Sequence, residues 1–280
     1  MVNHESSSAR RITGFSNVDG GTIDPSWHVD YLKRVNETIG IRRYKEKILE
    51  LLDPQPGEHI LDVGCGIGEG LRSVHEYTPT AKTLIGIDNS QTMITQAATL
   101  TPQDLLIGKT IMFKQDDAHS LSFEGERFDA SYSDRTFQHL ANPDLAFSEI
   151  LRVTKSGGRV IIADTDWDTL HLKGVSPEAE EKIRSAYFNI IVNPRMGGML
   201  QQLFIKNSLK DVEVVKESIE LLDLQAIEDV LALKKSLNLA RENGLLSEKE
   251  VGRCLKEVQE AQGVVNAALD IFIVKGIKLG

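Results

Sequence analysis

Residues 61–70 read LDVGCGIGEG: an apolar burst runs into glycines 64, 66, 68 and 70 and then into helix-forming sequence. Glycine is the residue that adopts positive φ without steric strain and lets another group approach the backbone closely. The helix that follows opens with N–H groups that have no partner inside the helix, which favours a polar or anionic ligand at that turn. A strand entering a helix through such a turn is the first half of a βαβ unit, so an α/β chain with a parallel sheet is expected. The surrounding pattern agrees. Short apolar bursts at 60–63, 84–87, 111–113, 128–132 and 160–163 alternate with helical segments at 69–77, 91–99 and 143–153, and residues 155–158 make a turn. Bursts this short suit buried strands, covered on both faces by the intervening helices.

The flanks differ from this alternation. Residues 1–24 are rich in Ser, Asn, Gly and Asp without a sustained period and read as a flexible N-terminal arm. Asp24 before Pro25 is a helix start, after which Trp27, Tyr31, Leu32 and Val35 recur at helical spacing. A second helix over 41–52 stops before Pro54 and Pro56, so 25–56 is expected to form a helical lid over a core at 57–170. Residues 171–280 add helices at 177–189 and 194–206, a strand at 212–222, one helix at 226–243 closed by Gly244, and a last strand at 271–275. Between these, Ser247 and Glu250 have the spacing of a capping box. Late segments of this kind carry recognition on a rigid sheet.

Composition narrows the function. The chain has 41 acidic against 32 basic residues, a formal charge of −9, and its only basic clusters are pairs such as Arg10-Arg11 and Arg42-Arg43. A phosphate backbone is repelled by such a surface, so a nucleic-acid partner is not expected. Cys65 and Cys254 form no metal-binding spacing, and no metal is expected. No apolar run reaches the roughly 18 residues of a membrane span, and the first residues lack a signal-peptide core; a cytoplasmic protein is expected.

A dinucleotide fingerprint would need glycine at 69, where Glu69 stands facing the pyrophosphate position. Asp62, just before the glycines, suits instead a ligand that carries an ammonium group. In this pattern, hydrophobic-Asp-x-Gly-x-Gly-x-Gly, the chain resembles the class I S-adenosylmethionine-dependent methyltransferases, closest to the small-molecule enzymes of quinone-biosynthesis and natural-product type. Asp88 ends the second strand, where a carboxylate accepts both hydroxyls of a ribose, with Asn89 beside it. Met93 resembles the family's apolar contact to adenine. In FKQDDAHSLSF, Asp117 and the Ala118 N–H correspond to its adenine contacts, with Asp116 as a competing carboxylate. In FDASYSDRTFQHL, Ser133 or Asp134 is expected beside the methionine portion, and Arg135 at the cofactor carboxylate or a substrate anion. Serines 122 and 156 stand where the family generally carries proline.

The resemblance implies a doubly wound, Rossmann-like, mostly parallel seven-stranded sheet with helices on both faces and helical insertions after strands 5 and 6. It implies S-adenosylmethionine as cofactor, S-adenosylhomocysteine as product, and methyl transfer to an O, N or C atom of a small metabolite by in-line displacement. A non-catalytic S-adenosylmethionine-binding sensor or partner protein is the alternative. His139 and, after it, Asp166 are the candidate bases. Tyr31, Trp167, Met196 and Met199 are expected to line the acceptor site, with Tyr187 and Ile191 of the 177–206 helices. The oligomeric state is left open between monomer and homodimer.

Overall fold

The protein was analysed as a computed structural model, which describes residues 14–280. Helices α1 (Pro25–Glu37) and α2 (Ile39–Leu52) precede β1 (His59–Val63), α3 (Glu69–Tyr77), β2 (Thr83–Asp88), α4 (Gln91–Leu100), the short α5 (Gln103–Ile107), β3 (Ile111–Gln115) and β4 (Phe128–Asp134). There follow α6 (Pro143–Val153), β5 (Thr154–Lys173), α7 (Pro177–Ile190), α8 (Met196–Lys206) and β6 (Lys210–Leu221). Helices α9 (Leu224–Leu231), α10 (Leu233–Glu242) and α11 (Glu248–Glu260) lead to β7 (Asn266–Ile277). The helix starts follow local chemistry. Asp24 accepts a hydrogen bond from the Ser26 N–H, Ser90 from the Met93 N–H, and Ser247 and Glu250 form the expected capping box.

The seven strands lie in the order β3-β2-β1-β4-β5-β7-β6. Strands β1 to β5 pair in parallel, whereas β7 enters antiparallel between β5 and β6. Order reversal at β1 places the carboxyl ends of β1 and β4 side by side, and ligands bind at such a crevice in doubly wound sheets. Alternation along the strands divides the core. Ile60, Ile161 and Ala163 pack with α2, α3, α7, α10 and α11, while Leu61, Val63, Val160 and Ile162 pack with α6 and α8 on the other face.

Four expectations change. Strand β5 extends far beyond 160–163 because β7 pairs along its length, with a register shift between Asp166 and His171. Helix α5 is an addition. The single helix expected over 226–243 is broken at Ala232, which has φ +48°. The break is held from outside: the Tyr31 hydroxyl donates to the Val230 carbonyl and the Tyr187 hydroxyl to the Leu231 carbonyl, each at 2.7 Å. Of the expected arm, residues 1–13 lie outside the described residues. The remainder is folded, with a 3-10 turn at Gly14–Ser16 and Val18 packed among Val29, Ile67 and Met93. No helix among the described residues is long and apolar enough to cross a membrane.

Candidate active site

A cavity of about 390 Å³ opens at the carboxyl ends of β1, β2 and β4. Its floor is the glycine turn, where Gly64, Gly66 and Gly68 have φ of +79°, +52° and +75°. A Cβ on Gly64 would stand 2.1 Å from Thr136 Oγ1, and one on Gly68 2.6 Å from the Phe113 ring. The turn is tied to β2: Gly66 N–H donates to Asp88 Oδ2 and Ser90 N–H to Asp88 Oδ1, both at 3.0 Å. Burial raises the Asp88 pKa above its ordinary value, with these two N–H groups acting against the rise. Asp62 lies deeper and accepts from the Tyr132 hydroxyl at 2.8 Å. Burial pushes its carboxyl up to about 7.

Glu69, the residue that departs from the dinucleotide pattern, is paired with Lys45 of α2 at 2.5 Å. Lys45 also lies 3.2 Å from Asp134, which accepts from the Tyr44 hydroxyl at 3.1 Å. This half-buried cluster fastens the N-terminal helices to the glycine turn. No local spacing in the sequence announces it, because its members come from three separate segments.

Asn89, Met93, Asp117 and Ala118 all line the cavity. Asp117 accepts from the His119 N–H at 2.9 Å, and that bond first, with the adjacent imidazole, holds its carboxyl below the ordinary value. Asp116 is engaged by the Ser122 N–H at 3.1 Å, a turn-forming contact. Arg135, at φ +50°, reaches the cavity with its Nε 4.0 Å from Asp134 Oδ1. His139 lines the same space and stacks on Phe15 at 5.5 Å. Burial, then the nearby Arg135 charge, presses its imidazole down to about 3.

Tyr31 and Trp167 form part of the far wall, Trp167 donating to Gln138 Oε1 at 2.6 Å and stacking on Tyr187 at 4.9 Å. Ile191 lines the cavity as expected. Trp27, on the helical segment expected to act as a lid, lines it too, as do Leu231 and Lys235, which flank the break between α9 and α10 and were missed.

Four expected site residues stand elsewhere. Ser133 is buried and donates to the Val63 carbonyl at 2.7 Å, leaving Asp134, one residue on, to face the cavity. Asp166 lies on the α8 side, where a Cβ on Gly198 would be 2.5 Å from its Oδ2. Met196 is packed in the core between the sheet and α8, and Met199 is 56% exposed. The cause is common to the last three: α8 covers the sheet face opposite to α7.

A family model described as a methyltransferase domain matches residues 61–162, the segment that builds the glycine turn, Asp88, Asp117 and His139. An uncharacterised 37.1 kDa protein in a Streptomyces fradiae transposon is 32% identical over 247 residues, covering 88% of this chain and 70% of that protein. The chain is an S-adenosylmethionine-dependent methyltransferase. An O-methyltransferase of Pyrenophora dematioidea is 33% identical to this methyltransferase over 142 residues, which is 49% of this chain and 52% of that enzyme. Among solved structures, Haemonchus contortus phosphoethanolamine N-methyltransferase 2, in complex with phosphomonomethylethanolamine and S-adenosylhomocysteine, aligns with TM-score 0.60 at 20% identity. That alignment covers 96% of this chain and 61% of the other.

The residues present fit the family's cofactor. The turn offers open backbone where a side chain would clash, Asp88 presents a carboxylate for a diol, and Asp62 lies in the same cavity as an acceptor for a cation. Asp62 in the methyltransferase yields a pH prediction. With its folded pKa raised to about 7, it is largely protonated below that value in the ligand-free protein. An ammonium group on the ligand favours the carboxylate, so affinity for S-adenosylhomocysteine, a zwitterion that carries one, is expected to rise with pH, by up to about tenfold per unit below 7, and to level above it. Stability without ligand runs the other way. The raised pKa stabilises the fold below about pH 4 and that contribution is lost as pH rises through 7. Asp164, also pushed up to about 7 by burial, adds to the stability trend but does not line the cavity. Asp62→Asn should therefore flatten the calorimetric binding profile and only part of the stability profile.

Proposed function

We propose that the methyltransferase transfers a methyl group from S-adenosylmethionine to an O, N or C atom of a small, largely apolar metabolite. The observation that carries this reading is the continuity of one cavity from the glycine turn into a chamber of aromatic and aliphatic side chains, including Trp27, Tyr31, Trp167, Tyr187 and Leu231. S-adenosylmethionine, when bound, supplies an electrophilic methyl group on a positively charged sulfur. Asp88 and Asn89 would hold its ribose, Met93, Asp117 and Ala118 its adenine, and Asp62, the glycine backbone and Arg135 its amino-acid end. The relatives include both O- and N-methyltransferases, which leaves the accepting atom open. The net charge of −9 favours a small acceptor over nucleic acid.

Alignment within a water-excluding chamber is the main catalytic lever. His139 is the candidate base and lines the cavity, but an imidazole pressed down to about 3 takes a proton weakly at neutral pH. Accordingly, His139→Ala is expected to lower kcat by less than about tenfold, short of the roughly 10² to 10⁴ of a well-matched general base. Trp167→Ala should instead raise the acceptor KM while leaving S-adenosylhomocysteine affinity nearly unchanged, as removal of a chamber wall requires. Steady-state kinetics on both variants checks these outcomes.

The reading itself is tested with methyl-labelled S-adenosylmethionine and a metabolite extract. Formation of S-adenosylhomocysteine with extract and not without it, accompanied by a labelled small molecule, is the expected result. Tight cofactor binding without any such product would favour the sensor or partner protein.

A further inference from the structure

The strap of residues 14–24 crosses the cofactor end of the cavity, which Phe15, Ser16, Val18 and Ile23 help to line. The Ser16 hydroxyl donates to the His139 carbonyl at 3.0 Å at one end, and at the other the strap is fastened by one acidic residue. Asp19 Oδ1 accepts from the Ser90 hydroxyl at 2.8 Å and the Thr92 N–H at 3.3 Å, and Asp19 Oδ2 accepts from the Gln91 N–H at 2.6 Å. These are the first N–H groups of α4, which have no partner inside the helix, so a carboxylate there is favoured.

Ser90 links this fastening to the cofactor site. Its hydroxyl receives the Met93 N–H at 3.1 Å while donating to Asp19, and its own N–H donates to Asp88 Oδ1. One serine therefore touches the strap, the carboxylate assigned to the ribose, and the start of the helix that carries the adenine contact Met93. On the strap's other side, Val18 joins the apolar cluster that contains Met93, and Phe15 stacks on His139.

We propose that Asp19 is a positioning residue of the cofactor site, closing the strap over the cleft and, through Ser90, fixing the orientation of Asp88. The assignment rests on the S-adenosylmethionine reading of that cleft. Two sites that share one hydrogen-bonded residue are coupled, and the coupling is reciprocal: cofactor holds the strap closed to the degree that the closed strap retains cofactor. Asp19 touches neither the chamber of the acceptor nor the proposed base. Its loss should therefore be read first in cofactor retention, since it is through Phe15 of the strap, and not through Asp19 itself, that His139 is touched.

The experiment compares the full chain with Asp19→Ala, Asp19→Asn and Ser90→Ala. Three quantities are read: S-adenosylhomocysteine affinity by calorimetry, its dissociation rate by Trp27 fluorescence, and protease cleavage within residues 14–24 with and without S-adenosylhomocysteine. Asp19→Ala should weaken binding about tenfold or more, mainly through faster dissociation, and should abolish the protection that the ligand gives the strap. Asn keeps an acceptor for the Ser90 hydroxyl and should recover part of both effects, whereas Ser90→Ala should reproduce the alanine result. Unchanged affinity and protection in Asp19→Ala overturn the proposal. So does a strap that becomes cleavable while affinity stays at the parent value, since the two sites would then be uncoupled. Failure of the parent protein to bind S-adenosylhomocysteine is a separate result, and it removes the cofactor reading together with the inference built on it.

Discussion

Replacing Asp88 by alanine should weaken S-adenosylhomocysteine binding by at least about tenfold and on the order of 10² to 10⁴, since two charge-assisted hydrogen bonds at roughly 1.5–3 kcal/mol each are removed. The carboxylate does two things at once. In the ligand-free protein it receives the Gly66 and Ser90 N–H groups, which set the glycine turn against α4; Asp88 also lines the cavity at the end assigned to the ribose. The variant should remain folded, because burial already works against the charge that alanine removes. Asp88→Asn keeps one acceptor and loses the charge, so its affinity should fall between those of the parent and the alanine variant. Calorimetry measures the dissociation constants and circular dichroism the fold. An Asp88→Ala protein with the parent's affinity would place the ribose elsewhere along the cleft.

Gly64→Ala should do more damage still. At φ +79° an alanine is strained by roughly 1–2 kcal/mol before any contact is considered. Its Cβ would then lie 2.1 Å from Thr136 Oγ1 and 2.8 Å from Thr136 Cβ, so the segment after β4 has to move. That segment leads to His139, and the turn itself is the cofactor floor. We expect a loss of several kcal/mol in stability and a more than about hundredfold loss of S-adenosylhomocysteine affinity. The double variant Gly64→Ala/Thr136→Gly removes the collision and leaves the strain, so it should recover part of the stability. Gly66→Ala provides the contrast, since a Cβ there meets only Leu32 Cδ1, at 3.1 Å. Thermal unfolding and calorimetry on the three proteins check the order; a Gly64→Ala protein as stable as Gly66→Ala would refute the steric account.

The same comparison marks where local sequence stops deciding. Gly64, Gly66, Gly68, Asp62 and Asp88 could be placed at the carboxyl edge of the sheet because each lies within a strand-turn-helix unit, whose geometry follows from a few neighbouring residues. Ser133 and Asp134 could not be separated, because successive strand residues point to opposite faces and parity depends on how β4 pairs with β1 and β5. The helix over 226–243 reads as continuous, yet Ala232 breaks it, with the Val230 and Leu231 carbonyls bonded to tyrosines 31 and 187 from two distant helices.

What the sequence determined by itself is the alternating α/β pattern, the glycine turn, the strand-end carboxylates and the helix caps. Each of these is settled by φ preferences, side-chain period or a hydrogen bond spanning a few residues. Tertiary structure alone decided that α7 walls the cavity while α8, with Met196 and Met199, covers the opposite face and takes Asp166 with it. It also decided that Glu69 is neutralised by Lys45 and that Asp19 fastens the strap to α4. The physical reason is that both faces of this sheet are apolar. Any amphipathic helix of the right length fits either face, and only the crossover that delivers it, together with the polar groups it must satisfy on arrival, selects one.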